Sequence, residues 1–171
     1  MIKQFVPEEV CLQCRGCCRF SESDSLWLPC LLDEEILELA DKKDIPAVSL
    51  SLDKRIMPNA LAGETGFICP FLNREDNKCR IYNSRPFECQ LYPFLLSLRQ
   101  KKVLLTVGLN CPYIQDKINT QEFKEYTRYL TDLLNSPQYL KILKNNPQII
   151  QAYAEVLDVV ELNIPHEPRP S

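Results

Sequence analysis

The sequence predicts an α+β fold that is mainly α-helical, with a small β-hairpin and irregular cysteine-rich loops. Apolar residues recur at helical spacing from residue 119 onward. Residues 94 to 98 and 103 to 109 are apolar and rich in β-branched residues, as in paired strands. Seven of the nine cysteines lie in two segments, 11 to 18 and 69 to 89, that show neither periodicity. We therefore expect a metal-centred N-terminal half covered by C-terminal helices.

The chain of 171 residues has the length of a single domain, spanning residues 1 to 171. Within it we distinguish a cysteine-cluster region at 11 to 112 and a helical C-terminal region at 119 to 161. The proline-rich residues 162 to 171 form a loose tail. A chain of this size can bury about 70% of its unfolded surface, so its stability does not require cross-links.

Local signals place the other elements. Residues 26 to 29 fit a short strand that Pro29 ends. Asp33 can cap a helix to about Lys43, with acidic residues in its first turn, where the helix dipole favours them. Residues 46 to 66, which carry prolines and glycines, fit a long loop with at most one strand. Asn119 and Glu122 resemble a capping box. Ser-Pro and Asn-Pro pairs start two further helices, at 137 to 144 and at 147 to 161.

Composition excludes several functions. With 45% hydrophobic and 25% charged residues, the chain resembles an ordinary globular protein. Its formal net charge of −3 gives no basic surface for nucleic acid. No segment approaches the ~20 apolar residues of a membrane span, and the start lacks the apolar stretch of a secretory signal. These features predict a cytoplasmic protein that binds neither nucleic acid nor membrane.

The segment Cys11-Leu12-Gln13-Cys14-Arg15-Gly16-Cys17-Cys18 carries the strongest functional signal. Successive C-x-x-C spacings let thiolates converge on one centre, and glycine lets the backbone turn and approach that centre closely. Thiolates at this density select zinc, copper(I) or iron–sulfur chemistry. In a reducing compartment, nine cysteines indicate metal binding or redox chemistry more than disulfides.

Cys17 and Cys18 are neighbours, so in a helix or a strand their side chains leave the backbone in different directions. We therefore do not expect both to be simple ligands of one tetrahedral ion. One of them faces a second centre, bridges two metals or belongs to the core. This adjacency favours more than one metal ion per chain.

The full cysteine pattern is specific. C-x-x-C-x-x-C-C is followed by C-P-F-L, by C-x-I-Y-x-x-R-P-x-x-C-x-x-Y-P and by C-P. It resembles the YkgJ-type cysteine-cluster family, which is described as zinc- or iron-chelating. The resemblance covers residues 11 to about 112. It implies that the metal ligands are Cys11, Cys14, Cys17, Cys18, Cys69, Cys79 and Cys89, with Cys111 as a weaker match. Cys30 has no counterpart, and we expect it to be a small buried hydrophobe.

A cluster of thiolates carries negative charge that needs compensation when it is buried. Residues 11 to 20 hold two arginines, Arg15 and Arg19, and no acid. Arg85 lies in an Arg-Pro turn between two cysteines, where its planar guanidinium suits hydrogen bonds to metal ligands. We therefore expect Arg85 to point toward the cofactor, binding it through the cysteines.

The identity of the cofactor stays open between two templates. Cys11, Cys14 and Cys17 reproduce the C-x-x-C-x-x-C run of bacterial ferredoxins, but the following Cys-Pro is missing at its usual distance. Zinc sites usually pair two C-x-x-C knuckles, and the second knuckle is absent. We favour an iron–sulfur cluster or iron, with zinc as the alternative.

Signals for catalysis are weak. The only histidine, His166, lies in the tail, so the chain lacks a Cys–His dyad. We interpret Glu88 as a surface glutamate and Tyr82 as a packed tyrosine. The sequence therefore predicts a cytosolic metal-binding protein. The alternatives are a metal-dependent redox or protein-modifying enzyme, since flagellin lysine methylases carry a similar cluster, and a zinc-stabilised module that binds a protein partner.

Overall fold

The computed structural model describes residues 2–14, 16–40, 48–63, 65–76 and 78–165. The chain divides into two compact units, Met1–Gln90 and Leu91–Ser171. In the described residues, 36% are helical and 22% lie in strands, which form two three-stranded antiparallel sheets. The prediction of a mainly α-helical fold is therefore wrong, because strands make up a much larger share of the structure than one hairpin.

The first unit carries short elements joined by turns. Its helices are α1 (Glu8–Cys14), α2 (Asp33–Ala40) and α3 (Phe87–Leu91), with 3₁₀ helices at Gly16–Cys18 and Tyr82–Ser84. Its strands are β1 (Arg19–Phe20), β2 (Asn59–Ala60) and β3 (Phe67–Ile68), in the order β1-β3-β2.

The predicted elements of this unit are confirmed in part. Helix α2 begins at Asp33, as predicted, and spans Asp33–Ala40. The last residues of the predicted helix, 41 to 43, lie outside the described residues. The segment 26 to 29 forms turns, so the predicted strand there is wrong. Residues 69 to 89 form turns and short helices, as their sequence indicates.

The core of the first unit lies between the cysteine-bearing segments. Its apolar side chains come from the sheet and from the turns around it, and they include Phe20, Leu28, Leu31, Ile56, Ile68, Phe71, Leu72 and Ile81. Cys69 belongs to this core, while Cys18 and Cys79 pack against it. Burial of the apolar residues therefore also positions three of the thiols.

Gly66 lets strands β1 and β3 approach each other. Its φ of 107° lies in the region that favours glycine, and a Cβ there would meet the Phe20 carbonyl oxygen at 3.0 Å. A larger residue would push β3 away from β1, the strand that follows Cys17 and Cys18.

Glu35 ties helix α2 to the start of helix α3. Its carboxylate accepts hydrogen bonds from the backbone N–H of Leu32 at 2.9 Å and of Phe87 at 2.5 Å. Burial raises the pKa of Glu35 from 4.5 to about 7, although the two backbone hydrogen bonds oppose the shift.

The second unit is built on a β-meander. Its strands are β4 (Phe94–Arg99), β5 (Lys102–Gly108) and β6 (Val156–Leu162), in that order. Its helices are α4 (Pro112–Gln115), α5 (Gln121–Leu134) and α6 (Pro137–Asn145), followed by a 3₁₀ helix at Pro147–Ile149. In the part of the chain that the structure describes, no helix has the length and apolar character needed to cross a membrane.

The predicted hairpin is confirmed. Phe94 pairs with Val107 and Arg99 with Lys102, so the loop between the strands is Gln100-Lys101. Both loop residues have positive φ, 49° and 69°, as a type I′ turn requires. The turn therefore forms without the usual Asn-Gly pair.

The helix predicted at 147 to 161 is wrong. Only Pro147–Ile149 is helical, as one 3₁₀ turn, and β6 occupies Val156–Leu162. Its valines and leucines pair with β5, for example Val160 with Leu105, and tertiary pairing overrides the helical spacing of the segment. A strand therefore replaces one of the helices that were expected to form the C-terminal cover.

The other C-terminal helices are close to the prediction. Helix α5 is capped by Thr120 rather than Asn119, and its hydroxyl accepts a hydrogen bond from the Phe123 N–H at 3.2 Å. The apolar face that was predicted is buried at Phe123, Tyr126, Leu130 and Leu134 and half-buried at Leu133. Helix α6 follows its Ser136-Pro137 signal.

The raised pKa of Glu35 predicts a pH-dependent stability. Between pH 4.5 and about 7 the folded chain keeps a proton that the unfolded chain has lost, so the free energy of unfolding falls as pH rises through this range. Glu35→Gln should remove this decline, on the order of 3 kcal/mol. Urea unfolding of metal-free, reduced protein at pH 4.5 and pH 7.5 measures it. Glu34→Gln, on the exposed side of α2, should retain most of the decline.

A second prediction concerns the core of the β-meander. Leu105 is completely buried, so Leu105→Ala should lower the free energy of unfolding of the second unit by about 2–5 kcal/mol. Leu157→Ala is the matched control, because Leu157 is 39% exposed and should cost less than about 1.5 kcal/mol. Equal losses for the two variants in urea unfolding would contradict the described packing.

Candidate metal centre

All nine cysteines lie within the described residues, and no disulfide joins any two of them. Eight belong to the first unit, and only Cys111 belongs to the second. The local structure of the first unit explains how the two cysteine-bearing segments, separated by about fifty residues of sequence, come together.

The short ladder between β1 and β3 joins these segments. Arg19 pairs with Ile68, and the N–H of Cys69 donates a hydrogen bond to the Cys18 carbonyl oxygen at 2.9 Å. Cys69 is thereby held beside the end of the N-terminal cysteine run.

A second bridge brings Cys79 to the same place. Leu72 and Cys79 form an isolated antiparallel β-bridge, and the N–H of Arg80 donates to the Phe71 carbonyl oxygen at 2.8 Å. The intervening turn therefore folds Cys79 back toward Cys69.

The N-terminal run is more regular than the sequence indicates. Cys11 and Cys14 lie one turn apart on helix α1, and Gly16 begins the 3₁₀ helix that ends at Cys18. An added Cβ at Gly16 would meet the Cys14 Sγ at 3.5 Å, an ordinary contact distance. That this glycine lets the backbone turn sharply toward a bound centre stays a prediction.

Cys17 and Cys18 do not point apart. Their Sγ atoms are 4.0 Å from each other, within reach of a weak thiol hydrogen bond. The backbone changes from 3₁₀ helix to strand immediately after Cys18, so the rule for a uniform helix or strand does not apply to this pair. Sulfurs of a tetrahedral zinc site lie about 3.8 Å apart, given Zn–S bonds of about 2.3 Å. The separation found here therefore suits one shared ion.

Four thiols form an inner tetrad in which each lies close enough to interact electrostatically with the other three: Cys17, Cys69, Cys79 and Cys89. Burial, and then the neighbouring thiols, raise the pKa of Cys69 to about 12. The same causes raise the pKa of Cys79 and, more strongly, of Cys89. For Cys17 the hydrogen bond with Cys18 is the largest cause of a raised pKa.

Three outer thiols surround the tetrad. Cys14 and Cys18 interact with Cys17, and Cys11 interacts with Cys79. Cys14 and Cys17 are exposed, whereas Cys69 is only 9% exposed. The electrostatic interactions thus involve all seven of the pattern's cysteines that lie in the first unit, and their assignment as metal ligands stays a prediction.

The donor set suits a thiophilic metal. In the described residues, no three cysteine, histidine or carboxylate side chains are already arranged so that they could hold an ion. A cation among the inner tetrad would stabilise the thiolates whose mutual repulsion and burial now raise their pKa. Sulfur ligands at this density fit zinc or iron.

Arg85 is held against the cluster by four polar contacts. Its Nη1 donates to the Cys11 Sγ at 3.6 Å, its Nη2 to Gln4 Oε1 at 2.8 Å, and its Nε to the Tyr82 carbonyl oxygen at 3.1 Å. The fourth contact is at its backbone carbonyl, which accepts from Gln90 Nε2 at 2.7 Å. The guanidinium also stacks over the Tyr82 ring, 3.8 Å from its centroid. These contacts fix a positive charge beside Cys11.

The charge of Arg85 opposes the repulsion among the thiols. It acts to lower the pKa of Cys17 and of Cys79, although burial and neighbouring sulfurs outweigh it. Of the other two arginines expected to offset charge, Arg19 is exposed and Arg15 lies outside the described residues.

Tyr82 is packed beneath Arg85, as its sequence context indicates. Burial is the main cause of its raised pKa, and a weak hydrogen bond with the Cys11 thiol contributes to the shift. The hydroxyl is close enough to Cys11 for the thiol to contribute to the same shift.

Glu88 is not a surface residue, so that interpretation is wrong. It is 9% exposed, and its Oε2 accepts a hydrogen bond from the Cys30 N–H at 2.5 Å. It also raises the pKa of the neighbouring Cys89. Cys30 is completely buried, as expected for a cysteine outside the family pattern.

Sequence reasoning missed Gln4, whose amide binds Arg85 from 81 positions away. No local signal marks such a partner. Cys111 is buried in the second unit and precedes helix α4 as its N-cap. Its assignment as a ligand stays a prediction, and His166 lies outside the described residues.

Comparison with known proteins identifies the family. The family "CxxCxxCC: Putative zinc- or iron-chelating domain" matches residues 10–125. A curated relative, "Uncharacterized protein MJ0661" of Methanocaldococcus jannaschii, is 28% identical over 102 residues, which cover 58% of this chain. The match spans about half of that relative, 52% of its length. No solved structure matches the chain. The family match includes all seven clustered thiols and confirms the resemblance seen in the cysteine pattern, so the chain belongs to the CxxCxxCC family of zinc- or iron-chelating domains.

Proposed function

We propose that this protein binds iron, with zinc as the alternative, at a centre whose ligands come from the inner tetrad. The observation that carries the proposal is the placement of thiols from both cysteine-bearing segments around one apolar core, in which Cys69 is buried and against which Cys18 and Cys79 pack. Four sulfur ligands complete a tetrahedral zinc site and also suffice for an iron–sulfur cluster. Nine cysteines without a disulfide favour a reducing compartment, so we place the protein in the cytosol.

Charge supports this assignment. Four thiolates around a divalent ion leave a formal charge of about −2, which is costly to bury without compensation. Arg85 supplies a fixed positive charge at the Cys11 side of the cluster. Hydrogen bonds from its guanidinium to sulfur would stabilise a ligand set that is negatively charged.

The number of thiols favours iron over a single zinc ion. Seven cluster in the first unit, three more than one tetrahedral ion requires, and an iron–sulfur or polynuclear centre would use more of them. The adjacency of Cys17 and Cys18 no longer argues for this, because their sulfurs are 4.0 Å apart and can share one ion.

Metal and sulfide analysis of protein purified without oxygen tests the proposal. We expect at least one iron per chain and a brown solution whose charge-transfer absorption bleaches on reduction. One zinc per chain in a colourless solution would select the alternative metal. Protein with neither metal, even after reconstitution with each, would contradict the function itself.

Removal of one tetrad ligand should greatly weaken metal binding. We expect Cys69→Ser and Cys89→Ser each to lower metal affinity at least 100-fold, because a four-ligand site that loses one thiolate is incomplete. Chelator competition measures the affinity, and circular dichroism verifies folding. Cys30→Ala is the control, since Cys30 is also buried in the first unit but lies outside the cluster pattern. Loss of metal from this control would show that the tetrad is misassigned.

Arg85 should raise the metal affinity of the site without being a ligand. Arg85→Gln removes its charge and its hydrogen bond to Cys11, so we expect a loss of about 10–100-fold in metal affinity. Arg85→Lys should recover part of this loss by restoring the charge alone. Arg80→Gln is the control. Arg80 is exposed, so its substitution should leave metal affinity unchanged. An equal effect of Arg80→Gln would indicate a general charge effect instead.

A further inference from the structure

Three leucines of the first unit are exposed to solvent. Leu52 is fully exposed, at 104%, and Leu37 is 70% exposed, the two highest values among the large apolar residues that the structure describes. Leu26 is 39% exposed. A single exposed leucine needs no explanation, whereas several that share one surface mark a site of interaction. Whether these three share a surface therefore decides what they mean.

The turn at residues 51 to 54 carries Leu52 at its tip. The Lys54 N–H donates a hydrogen bond to the Ser51 carbonyl oxygen at 3.0 Å, so Leu52 and Asp53 occupy the two central positions of the turn. Glycine and small polar residues are the usual occupants of such positions. Because its side chain is fully exposed, Leu52 adds nothing to the core, and the fold does not explain why a leucine is there.

Arg55 fixes this turn beside Leu26. It is 8% exposed, and its Nη1 donates a hydrogen bond to the Leu26 carbonyl oxygen at 2.9 Å. On the same side of the turn, the Leu31 N–H donates to the Lys54 carbonyl oxygen at 2.9 Å. These bonds join the turn to residues 26 to 31, so Leu26 and Leu52 keep a fixed spacing.

Helix α2 carries the third leucine. Ile36 and Leu39 pack against the core, so the exposed Leu37 lies on the outer face of the helix. Asp33, four positions earlier, lies on the same face and forms an ion pair with Lys54 of the turn. The helix and the turn are therefore joined at their exposed sides. We call Leu26, Leu37 and Leu52 together the leucine surface.

The surroundings of the leucine surface are acidic. Residues 21 to 40 contain six acidic residues and no lysine, arginine or histidine. Glu35 bonds to backbone N–H groups, and the other five are exposed: Glu22, Asp24, Asp33, Glu34 and Glu38. Asp53 adds an exposed carboxylate at the tip of the turn, and Lys54 pairs with one of the acids. The exposed leucines are thus flanked by excess negative charge.

We propose that the leucine surface binds a basic amphipathic helix of a partner protein. Such a helix presents an apolar stripe, which would cover the leucines, between rows of lysine or arginine, which would face the carboxylates. The same negative charge repels nucleic acid and anionic membranes, so neither fits this surface. The inference goes beyond the proposed function and does not depend on the metal centre.

Binding of a fluorescein-labelled peptide to the full, reduced chain tests the proposal by fluorescence anisotropy. The peptide consists of leucine and lysine in the order of an amphipathic helix about four turns long. We expect Leu37→Ser and Leu52→Ser each to weaken binding about fivefold or more, because each removes an apolar contact. Leu157→Ser is the matched control, since Leu157 is an exposed leucine of the second unit. Circular dichroism verifies that all variants fold.

A second set of variants tests the charges. Glu34→Gln combined with Glu38→Gln should weaken binding and make it less sensitive to salt, because fewer carboxylates remain to face the lysines. Glu155→Gln, which changes an exposed acid of the second unit, should leave both the affinity and its salt dependence unchanged.

The outcomes that would overturn the proposal are distinct. They include no binding of the amphipathic peptide by the wild-type chain, and an equal loss in Leu157→Ser. Equal binding of a peptide with the same composition but no apolar face would reduce the effect to general charge attraction. A wild-type dimer in sedimentation equilibrium that Leu37→Ser abolishes would assign the surface to a second copy of the chain. None of these results bears on metal content, so the proposed function is tested separately.

Discussion

The structure of the candidate centre depends on the two-residue ladder between β1 and β3. Next to this ladder, the Cys69 N–H donates a hydrogen bond to the Cys18 carbonyl oxygen. This bond joins two residues that are 51 positions apart in the sequence. Closing so long a loop costs conformational entropy that two short strands cannot offset alone. The shared apolar core around Phe20, Ile68 and Phe71 supplies the remaining stabilisation. Hydrophobic packing therefore contributes to holding the thiols near one another.

This origin explains the electrostatic state of the cluster. Packing against a core places sulfur atoms in a poorly solvated region, where the thiolate form is disfavoured. Each additional thiol raises the pKa of its neighbours. Among the described groups that affect Cys17, only Arg85 lowers its pKa. Without a metal, the raised pKa values of Cys69, Cys79 and Cys89 favour their thiol form, and a bound cation must displace their protons. Metal affinity should consequently fall with decreasing pH.

The sequence predicts those features that depend on local chemistry. Local sequence signals predict the hairpin of β4 and β5, helix α2 and the start of α6. The spacing of the cysteines predicts the family. The sequence does not predict β6, because valines spaced for one helical face also fit a strand once β5 offers a partner. Nor does it predict the burial of Glu88, or the contact of Gln4 with Arg85. Those depend on which distant backbone N–H or guanidinium the fold places opposite them.

The contact of Gln4 with Arg85 makes the first residues part of the metal-binding half. Gln90 Oε1 accepts from the Ile2 N–H at 3.0 Å, and Gln4 Nε2 donates to the Gln90 carbonyl at 3.2 Å. Ile2 is 3% exposed and Phe5 is 7% exposed, so this segment is anchored as firmly as the core. Terminal residues are usually the most tolerant of truncation, but tolerance depends on burial and hydrogen bonding rather than on position. Removing residues 2 to 4, or replacing them with a linker, would leave the Arg85 guanidinium without its amide acceptor. An affinity tag that replaces residues 2 to 4 would therefore remove a support of the cysteine cluster.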